Sequence, residues 1–168
     1  EKEMFYNAPE QEQIGRLEQL LKENHFKGIQ ERLDEMGFRK GFNIILYGGP
    51  GTGKTETTLQ LARKTGRDVF CIDVSKIGKR MDNVDSSAAQ MLNTLQNILL
   101  QEMESLEGIL VCTTNLHQNL DPAFERRFIY KIELEKPGDE VRSRIWASMM
   151  PGYAQEEYAA LGHKYPFS

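Results

Sequence analysis

Residues 48 to 55, Gly-Gly-Pro-Gly-Thr-Gly-Lys-Thr, bring four glycines, a lysine and two hydroxyls together in eight positions. Glycines let the backbone curl until successive N–H groups point inward, and a helix opening at the lysine adds the positive end of its dipole. That combination suits an anion of several charges. Gly48, Gly53, Lys54 and Thr55 also satisfy the spacing G-x-x-x-x-G-K-[ST], in which the lysine reaches the β- and γ-phosphates of a nucleotide and the Thr55 hydroxyl ligates magnesium. The expected binding segment is therefore Gly49, Pro50, Gly51, Thr52, Gly53, Lys54, Thr55 and Glu56.

Cleaving a phosphoanhydride needs other groups. A carboxylate at the end of a neighbouring strand must order the metal shell, and a second often activates water. No run of four apolar residues followed by Asp-Glu occurs in the chain. The nearest candidate is Val-Phe-Cys-Ile-Asp, ending at Asp73, with Val74 where the second acid would stand. Asp73 is read as a strand-end residue, with the metal carboxylate as the alternative. Two further polar groups follow apolar runs: Thr113-Thr114-Asn115 after Ile-Leu-Val-Cys, and Arg126-Arg127 within Leu-Asp-Pro-Ala-Phe-Glu-Arg-Arg-Phe. Taken singly, Asn115 fits a turn and the arginines fit the surface of a short helix.

The elements that must hold these residues follow from periodicity. Ile14, Leu17, Leu20 and Leu21 predict a helix over 11–21, and Ile29, Leu33 and Met36 a second over about 26–36, closed by Gly37. The continuous apolar run 42–47 predicts a strand buried on both faces, and 54–64 the helix after the glycine loop. A strand is expected within 68–74. A long amphipathic helix is expected over 87–106, its stripe drawn by Met91, Leu92, Leu95, Ile98, Leu99, Met103 and Leu106. Strands over 108–115 and 128–134 come next. Beyond Lys136-Pro137-Gly138 a helix around 141–149 and another around 153–165 complete the pattern. Strand and helix alternate, which implies an α/β fold on a mostly parallel sheet.

The 168 residues, 39% hydrophobic and 27% charged, suit one domain with a substantial core. A formal net charge of −4 offers no footprint for a nucleic-acid backbone and favours a protein partner. No apolar run is long enough to span a membrane and Glu1-Lys-Glu-Met-Phe has no leader pattern, so a cytoplasmic chain is expected. An opening Glu in place of Met suggests a piece of a longer polypeptide. Cys71 and Cys112 lie inside apolar runs without ligand spacing and are read as buried free thiols. His25, His117 and His163 show no catalytic spacing.

Gly48 to Thr55 in the strand-to-helix context, the strand ending in Thr-Thr-Asn, then Leu-Asp-Pro-Ala-Phe-Glu-Arg-Arg-Phe, a strand and a Pro-Gly turn together resemble the AAA+ ATPases over most of residues 42–147. The resemblance implies a three-layer P-loop NTPase core over 1–136 and the beginning of a small helical lid over 137–168. It implies that Lys54 and the loop hold ATP or ADP with Mg2+. It also implies that Asn115, as sensor 1, orients the attacking water, and that Arg126 or Arg127 acts as an arginine finger in the neighbouring subunit's site. Glu125 beside them departs from some family members. A self-associated ring, a hexamer, and remodelling of a macromolecular client follow from the same resemblance.

One stretch departs from the family. There, the strand that Val-Phe-Cys-Ile-Asp resembles is followed by a pore-facing loop, a helix, the acidic Walker B strand and a further helix. Here Asp73–Ile77 runs directly into Gly-Lys-Arg-Met-Asp-Asn-Val-Asp-Ser-Ser at 78–87. A helix, a strand and their loops amount to roughly 25 to 35 residues, expected to be missing near Ile77-Gly78, with a gap beside the loop-bearing strand as the consequence. Two further readings stand beside the ATPase: an ATP-binding scaffold with a degenerate, non-hydrolysing site, and a small-molecule P-loop kinase, for which no acceptor site is visible.

Overall fold

The computed structural model describes residues 3–37, 41–74, 86–115 and 122–166. Helix α1 spans Ala8–Leu21, with Asn7 as its N-cap and Pro9 in its first turn, where a missing N–H costs nothing. Lys22, extended at φ −60° and ψ 144°, separates it from α2, Glu23–Glu35. Both helices begin about three residues earlier than the apolar periodicity indicates, because their first turns carry polar residues. Then come β1 (Phe42–Tyr47), α3 (Lys54–Thr65), β2 (Val69–Asp73), α4 (Ser86–Ser105), β3 (Ile109–Thr114), the single turn α5 (Pro122–Glu125), β4 (Tyr130–Glu133), α6 (Asp139–Met149) and α7 (Gln155–Lys164). Gly66, at φ 64°, ends α3 in the left-handed conformation glycine adopts without strain.

The four strands form one parallel sheet in the order β2-β3-β1-β4. The expected gap beside β1 does not occur. β3 pairs with β1 over six residues and β2 with β3 over five, because β1's neighbour in the ladder is the strand ending in Thr-Thr-Asn and β2 closes onto its far edge. The junction Ile77-Gly78 itself lies outside the described residues, as does His117.

Alternation within the strands divides the core into two layers. Phe42, Ile44, Leu46, Ile109, Val111 and Ile132 face Ile14, Leu17, Leu21, Phe26 and Leu61 of the first three helices. Ile45, Leu110 and Cys112 face Met103, with Leu99 and Leu106 packed against them. Helices on both faces of a parallel sheet make the three-layer α/β architecture. In the long helix Met103, Leu99 and Leu106 follow the expected stripe, whereas Ile98 is 50% exposed; the side chains of Met91, Leu92 and Leu95 lie outside the description. Cys112 is buried, but Cys71 is exposed, contrary to expectation. β2 is an edge strand that leaves Phe70 and Cys71 uncovered, a position set by strand order and not by local composition. No described helix is long and apolar enough to cross a membrane.

Candidate functional site

At the carboxyl end of β1 the chain turns sharply over β4. Gly48 has φ 141°, and a Cβ there would lie 2.1 Å from the Leu134 carbonyl oxygen. Gly51 and Gly53 also take positive φ, 81° and 89°, so the loop curls as its glycines require. Thr52 Oγ1 donates to the Gly49 carbonyl at 2.9 Å. Lys54, only 8% exposed, folds back into this curl: its Nζ donates to the carbonyls of Gly48 at 2.9 Å and Gly49 at 2.7 Å. Burial pushes the Lys54 ammonium below the ordinary lysine value, and the charge of Asp73 draws it partly back. An anion in the curl would give that ammonium a better partner than two carbonyls.

Thr55 is exposed at the first turn of α3, and Glu56, lining the adjacent cavity, pairs with Arg63 at 3.5 Å. The sheet register brings the other polar groups to the same end. Tyr47 pairs with Thr114, so Gly48 and Asn115 leave the ladder side by side, and Asp73 pairs with Thr113 one strand further out. Asp73 is thus close enough to influence Lys54. Magnesium is held through one or two carboxylates together with phosphate oxygens, and the Thr55 hydroxyl with Asp73 fits the protein's share of such a shell. No group of three or more His, Cys, Asp or Glu that could hold a metal exists among the described residues.

Arg126 and Arg127 stand elsewhere. They precede β4, whose first paired residue, Tyr130, lies opposite Ile44 at the start of β1. Asn43 fixes this segment by accepting from Ile129 N at 2.9 Å and donating from Nδ2 to the Arg127 carbonyl at 3.3 Å. Five residues of strand, about 16 Å, separate Asn43 from Gly48, so neither arginine faces its own chain's loop. Arg126 is exposed. Arg127 is ion-paired with Glu104 of α4. Glu125 is held by Lys131 at 2.7 Å, whose hydrogen bond and charge keep its carboxyl below the usual range.

The structure adds a cavity that the sequence did not indicate. Its volume is about 460 Å³, and it opens beside the loop, lined by Met4, Phe5 and Tyr6 and by Ile145 and Met149 of α6. A Cβ on Gly53 would come within 2.4 Å of Met4 Cε, so this N-terminal strap lies directly against the loop. Tyr6 OH and Thr57 Oγ1 are 3.0 Å apart, fixing the strap to α3. The available sequence signal was three apolar residues just before the spacing Asn7-x-x-Glu10.

A family model described as "ATPase family associated with various cellular activities (AAA)" matches residues 44–96. Over that segment the chain resembles the AAA+ ATPases. Among similar AAA+ proteins is a proteasome-activating nucleotidase of Methanosarcina mazei, 27% identical over 156 residues, covering 68% of this chain and 37% of that protein. Another, of Methanothermobacter thermautotrophicus, is 26% identical over 193 residues, covering 87% and 47%. The chain thus spans less than half the length of these relatives. A chain of the solved E. coli MS115-1 HORMA:CdnC:Trip13 complex shares the fold with TM-score 0.64 at 16% identity, over 91% of this chain and 72% of that one. The first alignment runs over 156 residues, yet 68% of 168 is about 114, so about 42 of its positions have no counterpart in this chain.

Proposed function

We propose that the chain is the nucleotide-binding core, with the start of the lid, of an ATPase that binds MgATP, hydrolyses it at subunit interfaces of a ring and thereby remodels a protein client. The observation that carries this reading is the register of β1 and β3, by which Asn115 leaves the sheet beside Gly48 and its loop. In the reading, the loop amides and Lys54 hold the phosphates and the Thr55 hydroxyl joins the magnesium that arrives with the nucleotide. Asn115 orients water, and the cavity behind Met4 and Tyr6 takes the nucleobase. The bound metal supplies charge neutralisation on the phosphate oxygens.

Arg126 is the finger and Arg127 its anchor. Arg126 is exposed, whereas Arg127 is engaged with Glu104, and the roughly 16 Å of strand between them and the loop supports action on a neighbouring subunit. A protein client is favoured by the names of the archaeal relatives, which activate proteasomes, and by the acidic balance of the chain. The positions that the relatives have in excess, more than the 25 to 35 inferred above, leave room for an acidic strand in the natural protein.

A non-hydrolysing, nucleotide-binding scaffold is the second reading, favoured by one observation: the direct pairing of β2 with β3, which leaves Asp73 as the one carboxylate among the described residues whose charge acts on Lys54. Calorimetry of full-length protein with ADP and ATP decides whether nucleotide binds, and phosphate release separates the two readings. Lys54→Ala should weaken binding by roughly 3 kcal/mol, the worth of two charge-assisted hydrogen bonds, or more than about a hundredfold. Unchanged affinity in that variant defeats both readings.

A further inference from the structure

We propose that Asn7 and Glu10 are positioning residues of the nucleotide site: together they clamp the 135–138 linker and so set the distance between α6 and the phosphate loop. The proposal rests on the nucleotide reading above. Glu10 is only 7% exposed. Its carboxylate accepts from Asn7 N at 3.1 Å, from Asn7 Nδ2 at 3.0 Å and from the backbone N of Glu135 at 2.8 Å. The first of these is an ordinary return bond from the third helical residue to the N-cap. The last is not, because it reaches across 125 positions of sequence to the strand exit.

Asn7 departs from ordinary capping in the same direction. Its side chain donates to Glu10 of its own helix and also reaches beyond that helix. Nδ2 donates to the Lys136 carbonyl at 3.2 Å, and Oδ1 accepts from Gly138 N at 2.9 Å. Gly138 is the N-cap of α6, so the amide of Asn7 joins the beginnings of α1 and α6 directly. The Phe5 ring supplies a second tie to α6, with the Arg144 guanidinium 5.0 Å from its centroid.

Asn7, Glu10, Glu135 and Pro137 all border the cavity beside the loop, which Ile145 and Met149 of α6 also line. Freeing the linker would let α6 move away from Gly51 and Gly53. It would also leave a buried carboxylate or two backbone N–H groups without partners, which makes the open state costly. The clamp therefore acts on nucleotide affinity through cavity width, without touching the phosphates.

The test uses full-length protein carrying Asn7→Ser, Glu10→Gln and both together. Serine remains a good N-cap but cannot span to Lys136 and Gly138, and glutamine keeps the shape of Glu10 while turning a donor toward donors. Amide exchange at residues 135 and 138 is read by NMR, and ADP affinity by titration. Each single variant should accelerate exchange at Glu135 and Gly138, leave β1 and β3 protected, and weaken ADP about tenfold. The double variant should be no weaker than either single, since the two residues act as one unit.

Unchanged exchange at 135 and 138 overturns the proposal, as does accelerated exchange with unaltered ADP affinity, or strict additivity of the two substitutions. If the unsubstituted protein takes up no ADP while exchange responds as stated, the nucleotide reading fails and the restraint on the linker stands by itself.

Discussion

Lys54 is charged, almost fully buried and bonded to carbonyls of its own loop. Burial disfavours the ammonium, so its pKa lies below 10.5. A polyanion binds the ammonium and not the amine. Nucleotide affinity should therefore be complete at pH values below the lowered pKa and be lost as pH rises through it, starting earlier than an ordinary lysine would require. The bound anion raises the pKa again, so binding in that window takes up a proton. Calorimetry in two buffers of different ionisation enthalpy should detect the uptake. Lys54→Arg, which stays charged at every accessible pH, should flatten the alkaline loss even if its fork fits the curl less well. An equally steep loss in the arginine variant would assign the titration to another group. The lysine was legible in the sequence because glycine and lysine at fixed spacing leave little else to build. The environment of Cys71 was not legible, since an apolar run does not reveal whether its strand ends at the edge of the sheet. Cys71 should react with a thiol reagent in the native protein while Cys112, buried and pushed up to about 12 by burial and by the nearby Cys71, stays unmodified until unfolding; equal rates at both would contradict the strand order.

At the scale of elements, the strands, the glycine-loop helix and the α/β alternation could all be read from periodicity. What could not be read is which elements meet. The strap of Met4, Phe5 and Tyr6 has no pattern of its own and gains its role only when α1 packs on the sheet and carries it over the loop. Helices α6 and α7 likewise meet through a contact that composition conceals. A Cβ on Gly162 would lie 2.5 Å from Ser143 Oγ and 2.6 Å from the Asp139 carbonyl oxygen, so α7 approaches α6 to backbone distance. Arg142 reinforces the junction by donating to the Gly162 carbonyl at 2.6 Å and the Pro137 carbonyl at 2.6 Å. Gly162→Ala must push the helices apart, at a cost of about 1 to 3 kcal/mol. Because the junction lies outside the two sheet-bound core layers, the loss should be local. Amide exchange should quicken in α6 and α7, and β1 and β3 should keep their protection. A variant as well protected in α7 as the unsubstituted protein would refute the close approach.

For the whole molecule, the proposed function divides the site between chains. The loop and Asn115 lie at one end of the sheet and Arg126 at the other, so on the proposed reading a complete site needs a second subunit turned to present its arginine. A closed ring of identical, head-to-tail interfaces meets that need for every member. The prediction that separates this arrangement from a self-sufficient monomer uses two defective proteins. Lys54→Ala removes nucleotide from its own loop but keeps Arg126, and Arg126→Ala keeps the loop but loses the arginine. Each alone should release almost no phosphate, and Arg126→Ala should still bind ADP normally. Mixed in equal amounts under assembling conditions, random interfaces unite an intact loop with an intact arginine in about a quarter of cases. Phosphate release should therefore return to about that fraction of the unsubstituted rate, and should fall away on dilution as subunits part. If Arg126 served its own chain, mixing would restore nothing, and Arg126→Ala would be equally impaired at every protein concentration. If Arg127 were the acting residue, Arg126→Ala alone would retain full turnover, and Arg127→Ala would be the variant rescued by mixing despite its ion pair with Glu104.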